Sequence, residues 1–330
     1  SEPQEQLLGR KIYLPRGKVL GGSSSTNAMA YVRGNRKDYD DWAALGNQGW
    51  SYEDILPYFT RHEDNADIQN DYHGRNGELH VEFPSRYRSP FAESFVDACV
   101  ERGFSRNNDY NGESQAGAGL FQFTIKDGRR HSGFSAFLKP VMQRKNLRVL
   151  TGTHVSKILV ESDQATGVLA GKPGKTPQPF LADKEVILSA GSFASPQLLM
   201  LSGIGEKVEL ERYGINCIRD VPGVGKNLQD HLFCPIGALS HQQEGQNHYV
   251  RPLPMARAAL DYLVRGKGVL NSSPLEAVAF GSSSLSPDRV DYQFHFSSFH
   301  LGEGYSSDFH DYRTFPDRED GFSILPSLLR

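Results

Sequence analysis

The sequence has 330 residues, which is long enough for two domains and for a sizeable hydrophobic core. Its 36 lysines and arginines against 39 aspartates and glutamates leave a net charge of -3 without a long basic tract, so nothing indicates nucleic acid or an anionic membrane surface as a partner. No apolar run reaches membrane-spanning length, and the three widely spaced cysteines form neither a CxxC motif nor a disulfide framework.

A glycine- and serine-rich segment, RGKVLGGSSSTNAMAYVRG, occupies residues 16–34. Consecutive small residues let backbone N–H groups face a ligand with no Cβ in the way. A flexible linker is the poorer interpretation because AMAYV, an apolar run fit for burial, follows at once. A Walker P-loop is excluded because no lysine follows the second glycine. The segment therefore predicts a loop that contacts a ligand.

Three helices and a loop are predicted in the first 120 residues. DYDDWAAL indicates a short helix, and SYEDILPYFTRHED indicates another with Ser51 as its N-cap. Apolar residues at spacings of three and four predict a helix over 90–103, which ends at Gly103. The stretch 107–119 is dense in Asn, Asp and Gly and is typical of a loop.

Strand patterns begin near residue 147. LRVLTGTHVSKILVE predicts two short strands separated by a Thr-Gly-Thr turn. The apolar run Val186–Leu188 predicts a strand buried on both faces, followed by a small-residue turn at 189–192. A strand, a glycine turn and a helix in this order are typical of a dinucleotide-binding sheet.

A helix should follow that turn, with Ser195 as its cap, Pro196 at its first position and Gly203 at its end. Residues 253–265 also predict a helix, and RVDYQFHF alternates as a half-buried strand does.

Several common chemistries are absent from the sequence. GxGxxG does not occur in its required context, and GIGEK follows a helix instead of a strand. GFSAF lacks the final glycine of a nucleophile elbow. No HExxH occurs and the histidines are not at ligand spacings, so we expect no metal site.

Two long motifs carry a resemblance to a known family. RGKVLGGSSSTNAMAYVRG resembles the first signature of the glucose–methanol–choline (GMC) flavin oxidoreductases, and GSFASPQLLMLSGIG, 191–205, resembles the second. HGRNGELHV, NDYNG followed by QAGAG, and VPGVGKNLQDH match lesser landmarks in the right order. Within the family the sequence is most similar to the branch of choline and alcohol dehydrogenases. The resemblance implies a mixed α/β fold, in which an FAD-binding dinucleotide domain accompanies a substrate domain built on an antiparallel sheet with helices.

The resemblance also implies which residues hold FAD. The matching positions around the flavin ring are Gly21, Gly22, Ser23, Asn27, Ala28 and Met29. Val155 matches a residue that meets the adenine, and Ala190 and Gly191 match the turn near the dinucleotide. Thr26 stands where some members carry the histidine that links FAD covalently, so non-covalent binding is expected. Pro196, Leu198 and Leu199 are interpreted as core residues of the second motif.

The motifs divide the chain into four segments. We expect residues 1–35 to be an FAD-binding segment with the flavin loop, and residues 36–145 to be a helical intermediate that begins the substrate domain. We expect residues 146–235 to be the second FAD-binding part, and residues 236–330 to be the second part of the substrate domain.

The function implied for the complete protein is oxidation of an alcohol to an aldehyde or ketone, with hydride transfer to flavin N5. The family's GxGxxG would precede residue 1 and its catalytic histidine would follow Arg330, so we expect the chain to be the middle of a longer protein. His231 and His295 could be offered as substitutes for that base, although His231 lies in QDH, a structural landmark of the family. Glu276 matches a position near the family's pocket, and a buried, hydrogen-bonded acid is the equal alternative.

Other functions stay open at this point. A flavin-binding protein without redox turnover, either a lyase of the same fold or an inactive truncated product, is the main alternative. An NAD-linked dehydrogenase is weaker because no nicotinamide fingerprint occurs. The sequence decides neither the alcohol, nor whether oxygen or a quinone reoxidises the flavin, nor the cellular location.

Overall fold

The computed structural model describes residues 1–302 and 311–329 and separates the chain into two units. One unit joins Ser1–Gln143 to His231–Arg330, and the other is Arg144–Asp230. The finer division into four functional segments stays a prediction. No helix in the described ranges is both long and apolar enough to cross a membrane.

The described residues form six α-helices and fourteen strands. The helices are α1 (Arg36–Ala44), α2 (Tyr52–His62), α3 (Pro90–Glu101), α4 (Gly191–Leu201), α5 (Lys207–Arg212) and α6 (Pro252–Arg265). The strands are β1 (Glu63–Asn65), β2 (Leu79–Val81), β3 (Gly117–Leu120), β4 (Ile125–Lys126), β5 (Arg129–Arg130), β6 (His154–Glu161), β7 (Gln164–Gly171), β8 (Gln178–Leu181), β9 (Ile204–Gly205), β10 (Arg219–Asp220), β11 (Ile236–Ser240), β12 (Leu275–Gly281), β13 (Tyr292–Ser297) and β14 (Asp320–Leu328).

A five-stranded antiparallel sheet organises the first unit, in the order β11-β14-β13-β12-β3. Helix α3 covers one face of this sheet. Its side chains are buried with Ala277 and Ala279 of β12, and Phe95 stacks on Phe296 of β13 with ring centroids 4.8 Å apart. Ser89 caps α3 through its side chain, and Pro90 occupies the first helical turn.

The opposite face of the sheet forms a second core. Side chains alternate between the two faces of a strand, so Val278 and Phe280 point away from α3. They pack with Phe121 and with Met29 from the glycine–serine segment. In the register of the sheet, His295 lies opposite Val278 on β12 and opposite Leu325 on β14, so its side chain shares this face. The face away from α3 therefore joins the glycine–serine segment to the sheet.

The predicted helices of the first unit are confirmed. Asn35 and Ser51 each complete a capping box, with Asp38 and Asp54 respectively, at the starts of α1 and α2. The helix predicted over 253–265 is α6, and RVDYQFHF contains β13. The stretch 107–119 is irregular up to β3, which begins at Gly117.

The second unit is built around the antiparallel meander β6-β7-β8. The end of helix α4 is fixed to this sheet because the Ile158 backbone N–H of β6 donates to the Ser202 hydroxyl at 2.8 Å. Ser202 in turn donates to the Leu198 carbonyl at 2.6 Å. Ile158, only 5% exposed, lies in the core of this unit.

Two predicted strands of the second unit are wrong. Residues 147–150, expected to precede the Thr-Gly-Thr turn as a strand, have no strand structure, and only β6 after the turn forms. The run Val186–Leu188 is likewise unassigned, and Ile187 is 77% exposed. An apolar run becomes a buried strand only when neighbouring strands supply hydrogen bonds on both sides, and no described strand pairs with this run.

The start of α4 also differs from the prediction. The helix begins at Gly191 after the N-cap residue Ala190, and Pro196 lies inside it. The Ser195 hydroxyl accepts from the Ala190 N–H at 3.1 Å, so it closes the preceding turn instead of starting the helix. Pro196, Leu198 and Leu199 are partly exposed, which contradicts their interpretation as buried core.

Candidate functional site

The glycine–serine loop, defined as residues 16–29, folds back tightly on itself. Gly21 has φ +89° and Gly22 has φ +56°, and a short 3-10 turn runs over Gly22–Ser25. A Cβ on Gly17 would lie 2.2 Å from the Gly22 carbonyl oxygen, and one on Gly21 would lie 2.5 Å from the Ser25 hydroxyl. Glycine is therefore required at both positions by close packing, and at Gly21 by its positive φ as well.

Gly22 is open on its other side. A Cβ built on Gly22 would meet no atom within 4 Å, whereas the neighbouring glycines are enclosed. Ser23 and Asn27 are exposed, and Ala28 is partly exposed. The loop therefore presents a strip of backbone and small side chains to open space, which is the shape a planar ligand needs for close approach.

Asn27 is held by two hydrogen bonds to its side-chain oxygen. The Met29 N–H donates to Asn27 Oδ1 at 3.1 Å, and Arg130 Nη1 donates to the same oxygen at 2.8 Å. Arg130 also donates to the Ser24 carbonyl at 3.2 Å, so one guanidinium spans the loop. With its oxygen engaged, the Asn27 amide group is oriented to offer its N–H donors.

The end of the loop is anchored in the core. Met29 has φ +63° and is 9% exposed within the core on the face away from α3. Its carbonyl accepts the Thr124 N–H at 2.9 Å. The residues predicted for the flavin ring are thus brought together on one continuous segment that is fixed at its inner end.

The remaining predicted FAD residues lie in the second unit. Val155 is on β6 opposite Ala170 of β7. Ala190 and Gly191 form the start of α4, where Gly191 has φ +88° and open space around a built Cβ. A helix start whose backbone a ligand can approach closely favours the binding of anionic groups such as phosphates.

A cavity of about 350 Å³ with a mixed lining adjoins the segment 30–35 that follows the loop. Its lining consists of Ala30, Val32, Arg33, Gly34, Asn35, Asp38, Gln115, Phe121, His231, Phe280, Val290, Gln293, His295 and Leu329. The His295 ring stacks on Phe121 with centroids 5.8 Å apart. Burial, with a smaller contribution from His231, lowers the pKa of His295 to about 4. His295 is therefore neutral at physiological pH and a weak proton acceptor.

Glu276 is fully buried on the α3 side of the sheet. Its carboxylate accepts the Ser89 N–H at 2.9 Å, the Ser298 hydroxyl, and the Gln246 amide at 3.4 Å. Burial raises the pKa of this carboxyl, and the three donors oppose that effect. Of the two interpretations from the sequence, these contacts favour the buried, hydrogen-bonded acid.

A second, apolar cavity of about 570 Å³ lies on the face of the sheet away from α3. Its lining consists of Phe233, Gln246, Tyr249, Val250, Met255, Val269, Leu270, Ser272, Pro274, Leu275, Ser297, Phe299, Leu301, Phe315 and Leu325. Leu325 pairs with His295 across β13 and β14, so the two cavities lie on the same sheet face as Met29.

Comparison with known proteins identifies the family. The family model described as GMC oxidoreductase matches residues 6–233. The chain belongs to the GMC oxidoreductase family. It is 41% identical over 296 residues to the oxygen-dependent choline dehydrogenase of Brucella melitensis, an alignment that covers 90% of this chain and 53% of the relative. The corresponding protein of Rhizobium etli is 40% identical with the same coverage.

Solved structures of two oxidases share the fold. Pyridoxine 4-oxidase from Mesorbium loti matches with a TM-score of 0.81 and 28% identity, covering 99% of this chain and 59% of that protein. Formate oxidase from Aspergillus oryzae matches with a TM-score of 0.84 and 26% identity, covering 96% of this chain and 59% of that protein. The chain therefore spans little more than half the length of the relatives it matches.

This GMC oxidoreductase also contains a buried charge network that its sequence motifs did not reveal. Glu63 lies between two basic side chains, because Arg33 Nη2 approaches its Oε2 at 2.8 Å and His73 Nδ1 approaches its Oε1 at 3.1 Å. The other His73 nitrogen bonds Asp109 at 2.9 Å. Although burial alone would lower the pKa of His73, the hydrogen bonds to Asp109 and Glu63 raise it above its ordinary value.

Two residues of the site, Arg130 and Arg33, were not predicted from the sequence, for different reasons. Arg130 lies in the hairpin β4-β5, which belongs to no recognisable motif, and only the fold brings it to Asn27. Arg33 lies inside the first GMC signature, where YVRG signals its presence without signalling its buried partner Glu63. Among the described residues no group of three His, Cys, Asp or Glu side chains is arranged to hold a metal ion.

Proposed function

We propose that the complete protein is an FAD-dependent oxidoreductase that converts an alcohol to an aldehyde or ketone. The observation that carries the proposal is the open backbone at Gly22, within the first signature of a chain that belongs to the GMC family. Relatives that are named choline dehydrogenase and pyridoxine 4-oxidase support the same class of reaction.

FAD fits the residues present. Gly21, Gly22 and Ser23 would pass beneath the isoalloxazine ring, because a Cβ at Gly22 would fill the open space and the positive φ values favour glycine. Asn27 and the Ala28–Met29 backbone would face the ring edge with hydrogen-bond donors. Val155 would contact the adenine, and Ala190 with Gly191 would approach the dinucleotide from the start of α4. Thr26 in place of the linking histidine favours non-covalent binding.

The chain's own residues then have defined tasks. FAD, when bound, supplies the acceptor for the hydride that leaves the alcohol carbon. Arg130 orients Asn27 and fixes the loop through Ser24. The sheet face away from α3 closes the substrate side, since Met29 and both cavities lie on it. His295 is a poor base at its lowered pKa, so removal of the hydroxyl proton is assigned to the histidine that the family resemblance implies.

The test is flavin retention by full-length protein carrying Gly22→Val. A side chain there would occupy the open space, so we expect the variant to lose FAD, read from visible absorption after gel filtration. Gly22→Asn, which tolerates the left-handed backbone better, should also lose FAD because its Cβ fills the same space.

Gly214→Val is the matched control. Gly214 has φ +70° and also has no atom within 4 Å of a built Cβ, so the variant carries similar backbone strain outside the loop. We expect it to retain FAD. A full complement of FAD in both Gly22 variants would contradict the proposal.

A further inference from the structure

A third cavity, of about 440 Å³, is lined mainly by basic side chains, and we call it the basic cavity. Its lining comes from the hairpin β4-β5 and from the two short helical turns that follow, over Phe134–Leu138 and Lys139–Val141. The basic side chains are those of Lys126, Arg129, Arg130, His131 and Lys139. The volume of the cavity lies within the range typical of small-molecule sites.

The basic cavity concentrates charge of one sign. Every basic residue of its lining except His131 carries a full positive charge at neutral pH, and Asp127 is the one acid in the part of the lining that the structure describes. Like charges gathered around one cavity repel each other, which raises the free energy of the folded state. An anion bound between them removes this repulsion, so the cavity favours a negatively charged ligand.

His131 adds a neutral hydrogen-bond donor to the wall. The backbone N–H of His80 donates to Nδ1 of His131 at 3.1 Å. A ring nitrogen that accepts carries no proton, so the proton of the neutral imidazole is on Nε2. Burial, followed by the nearby charge of Lys126, lowers the pKa of His131 and keeps the ring neutral at physiological pH. The His131 ring therefore carries an N–H donor at Nε2.

Arg130 connects the basic cavity to the glycine–serine loop. Its Nη1 donates to the Ser24 carbonyl at 3.2 Å and to Asn27 Oδ1 at 2.8 Å. Within the described part of the chain these hydrogen bonds use Nη1 alone, so Nη2 and Nε are left for a ligand. Burial lowers the pKa of Arg130, which shows that the guanidinium has lost part of its hydration. A hydrogen-bonded anion would compensate for that loss.

The arrangement of donors suits a phosphate group. Guanidinium N–H groups match phosphate oxygens in pairs, and the Ser135 hydroxyl in the wall is a further donor. Lys126, Arg129 and Lys139 are exposed, so their longer side chains can close on a ligand from the rim. A phosphate group offers three oxygens and up to two negative charges, whereas a carboxylate offers two oxygens and one charge. Phosphate therefore uses more of the donors and neutralises more of the charge.

We propose that the basic cavity binds the phosphate group of a small molecule, at a site separate from that of FAD. The proposal goes beyond the oxidation of an alcohol, because no step of that reaction uses this cavity. The diphosphate of FAD is the other source of the same chemistry, and the experiment distinguishes the two sources.

The experiment titrates inorganic phosphate into FAD-loaded full-length protein by isothermal titration calorimetry, with the ionic strength held constant by sodium chloride. We expect saturable binding of one phosphate per chain. Lys139→Met removes a charge from the rim of the cavity and should weaken binding about fivefold or more. Lys175→Met is the matched control, because Lys175 is an exposed lysine in the turn between β7 and β8, and it should change the affinity by less than about twofold.

The same titration on apoprotein separates the two sources of phosphate. Binding by both forms of the protein, with a selective loss in Lys139→Met, supports the separate site. Binding by apoprotein alone, with FAD displacing the phosphate, would assign the basic cavity to the diphosphate of FAD and overturn the proposal. The absence of saturable binding, or equal losses in the two lysine variants, would overturn it as well.

Discussion

Single side chains hold the candidate flavin loop in place. Arg130 is the clearest case, because its guanidinium reaches Asn27 and Ser24 from a hairpin more than a hundred residues away in sequence. The loop's own residues supply the small side chains and the positive φ values, whereas its fixed position depends on this distant cation. Binding of FAD should therefore respond to a residue that does not touch it.

We predict that Arg130→Met weakens FAD binding about tenfold or more, since hydrogen bonds to a charged group contribute about 1.5–3 kcal/mol. Methionine keeps the length of the aliphatic stem and removes only the donors. The dissociation constant is measured by flavin fluorescence titration of full-length apoprotein. Arg129→Met, at the exposed neighbouring position, is the control, and equal affinities for the two variants would refute the role given to Arg130.

His73 makes the stability of the first unit depend on pH. Because folding raises the pKa of His73, its stabilisation is complete below the unfolded pKa of about 6.5 and is lost as pH rises through the folded pKa. The carboxylates of Glu63 and Asp109 affect the stability at low pH. Burial alone would raise their pKa values, but the hydrogen bonds from His73 lower those of Glu63 and Asp109, so their stabilisation is lost as pH falls.

We predict that His73→Gln lowers the free energy of unfolding by about 3 kcal/mol at pH 6, the cost of removing one partner from a buried charge pair. The difference from the unchanged protein should narrow between pH 6 and pH 8, measured by urea denaturation. His154→Gln, at an exposed histidine, should show no such trend. A difference that stays constant with pH would show that His73 is not charged in the folded protein.

At the scale of elements, helix starts follow local chemistry closely. The Ser51 hydroxyl accepts the Asp54 N–H at 3.3 Å, and the Asp54 carboxylate accepts the Ser51 N–H at 3.2 Å. Two N–H groups that the helix leaves without a partner are satisfied by residues three apart, so the cap is visible in the sequence. Strands have no comparable local signal. The prediction of a buried strand at Val186–Leu188 was therefore wrong.

We predict that Ser51→Ala lowers the stability of the first unit by about 1 kcal/mol through loss of this cap. Hydrogen exchange at the amides of the first turn of α2 should accelerate, as measured by mass spectrometry. Ser94→Ala is the matched control, because Ser94 lies within α3 and its hydroxyl donates to the Pro90 carbonyl without capping the helix. Equal effects of the two substitutions would show that the capping box contributes nothing specific.

For the whole molecule, each of the two units has its own buried residues. In the second unit, Ile158 of β6 is 5% exposed, whereas Ile187 is 77% exposed in the run that the sequence predicts as a buried strand. The same residue type therefore occupies both a core and a surface position in residues 144–230. This contrast gives a direct test of the corrected fold.

We predict that Ile158→Ala destabilises the second unit by about 3 kcal/mol, and that Ile187→Ala changes its stability by less than about 0.5 kcal/mol. Hydrogen exchange of the β6 and β7 amides is the measurement, since it reports on this unit specifically. A large cost for Ile187→Ala would restore the buried strand that the sequence predicts.

The sequence by itself determined the family, the ends of most helices and the composition of the candidate flavin loop. These depend on residues that are neighbours in the chain: Ser51 with Asp54, Gly21 with Gly22, and the spacing within the two signatures. Such interactions form over a few residues, so the pattern of residue types is sufficient to predict them.

Only the tertiary structure decided which distant residues meet. It brings Arg130 to Asn27, encloses Glu63 between Arg33 and His73, and joins Glu276 to Ser89. It also leaves the run at 186–188 without a strand partner among the described residues. The physical reason is that hydrogen-bond satisfaction and burial are set by groups far apart in the chain, and a sequence pattern gives the residue type without giving its partner.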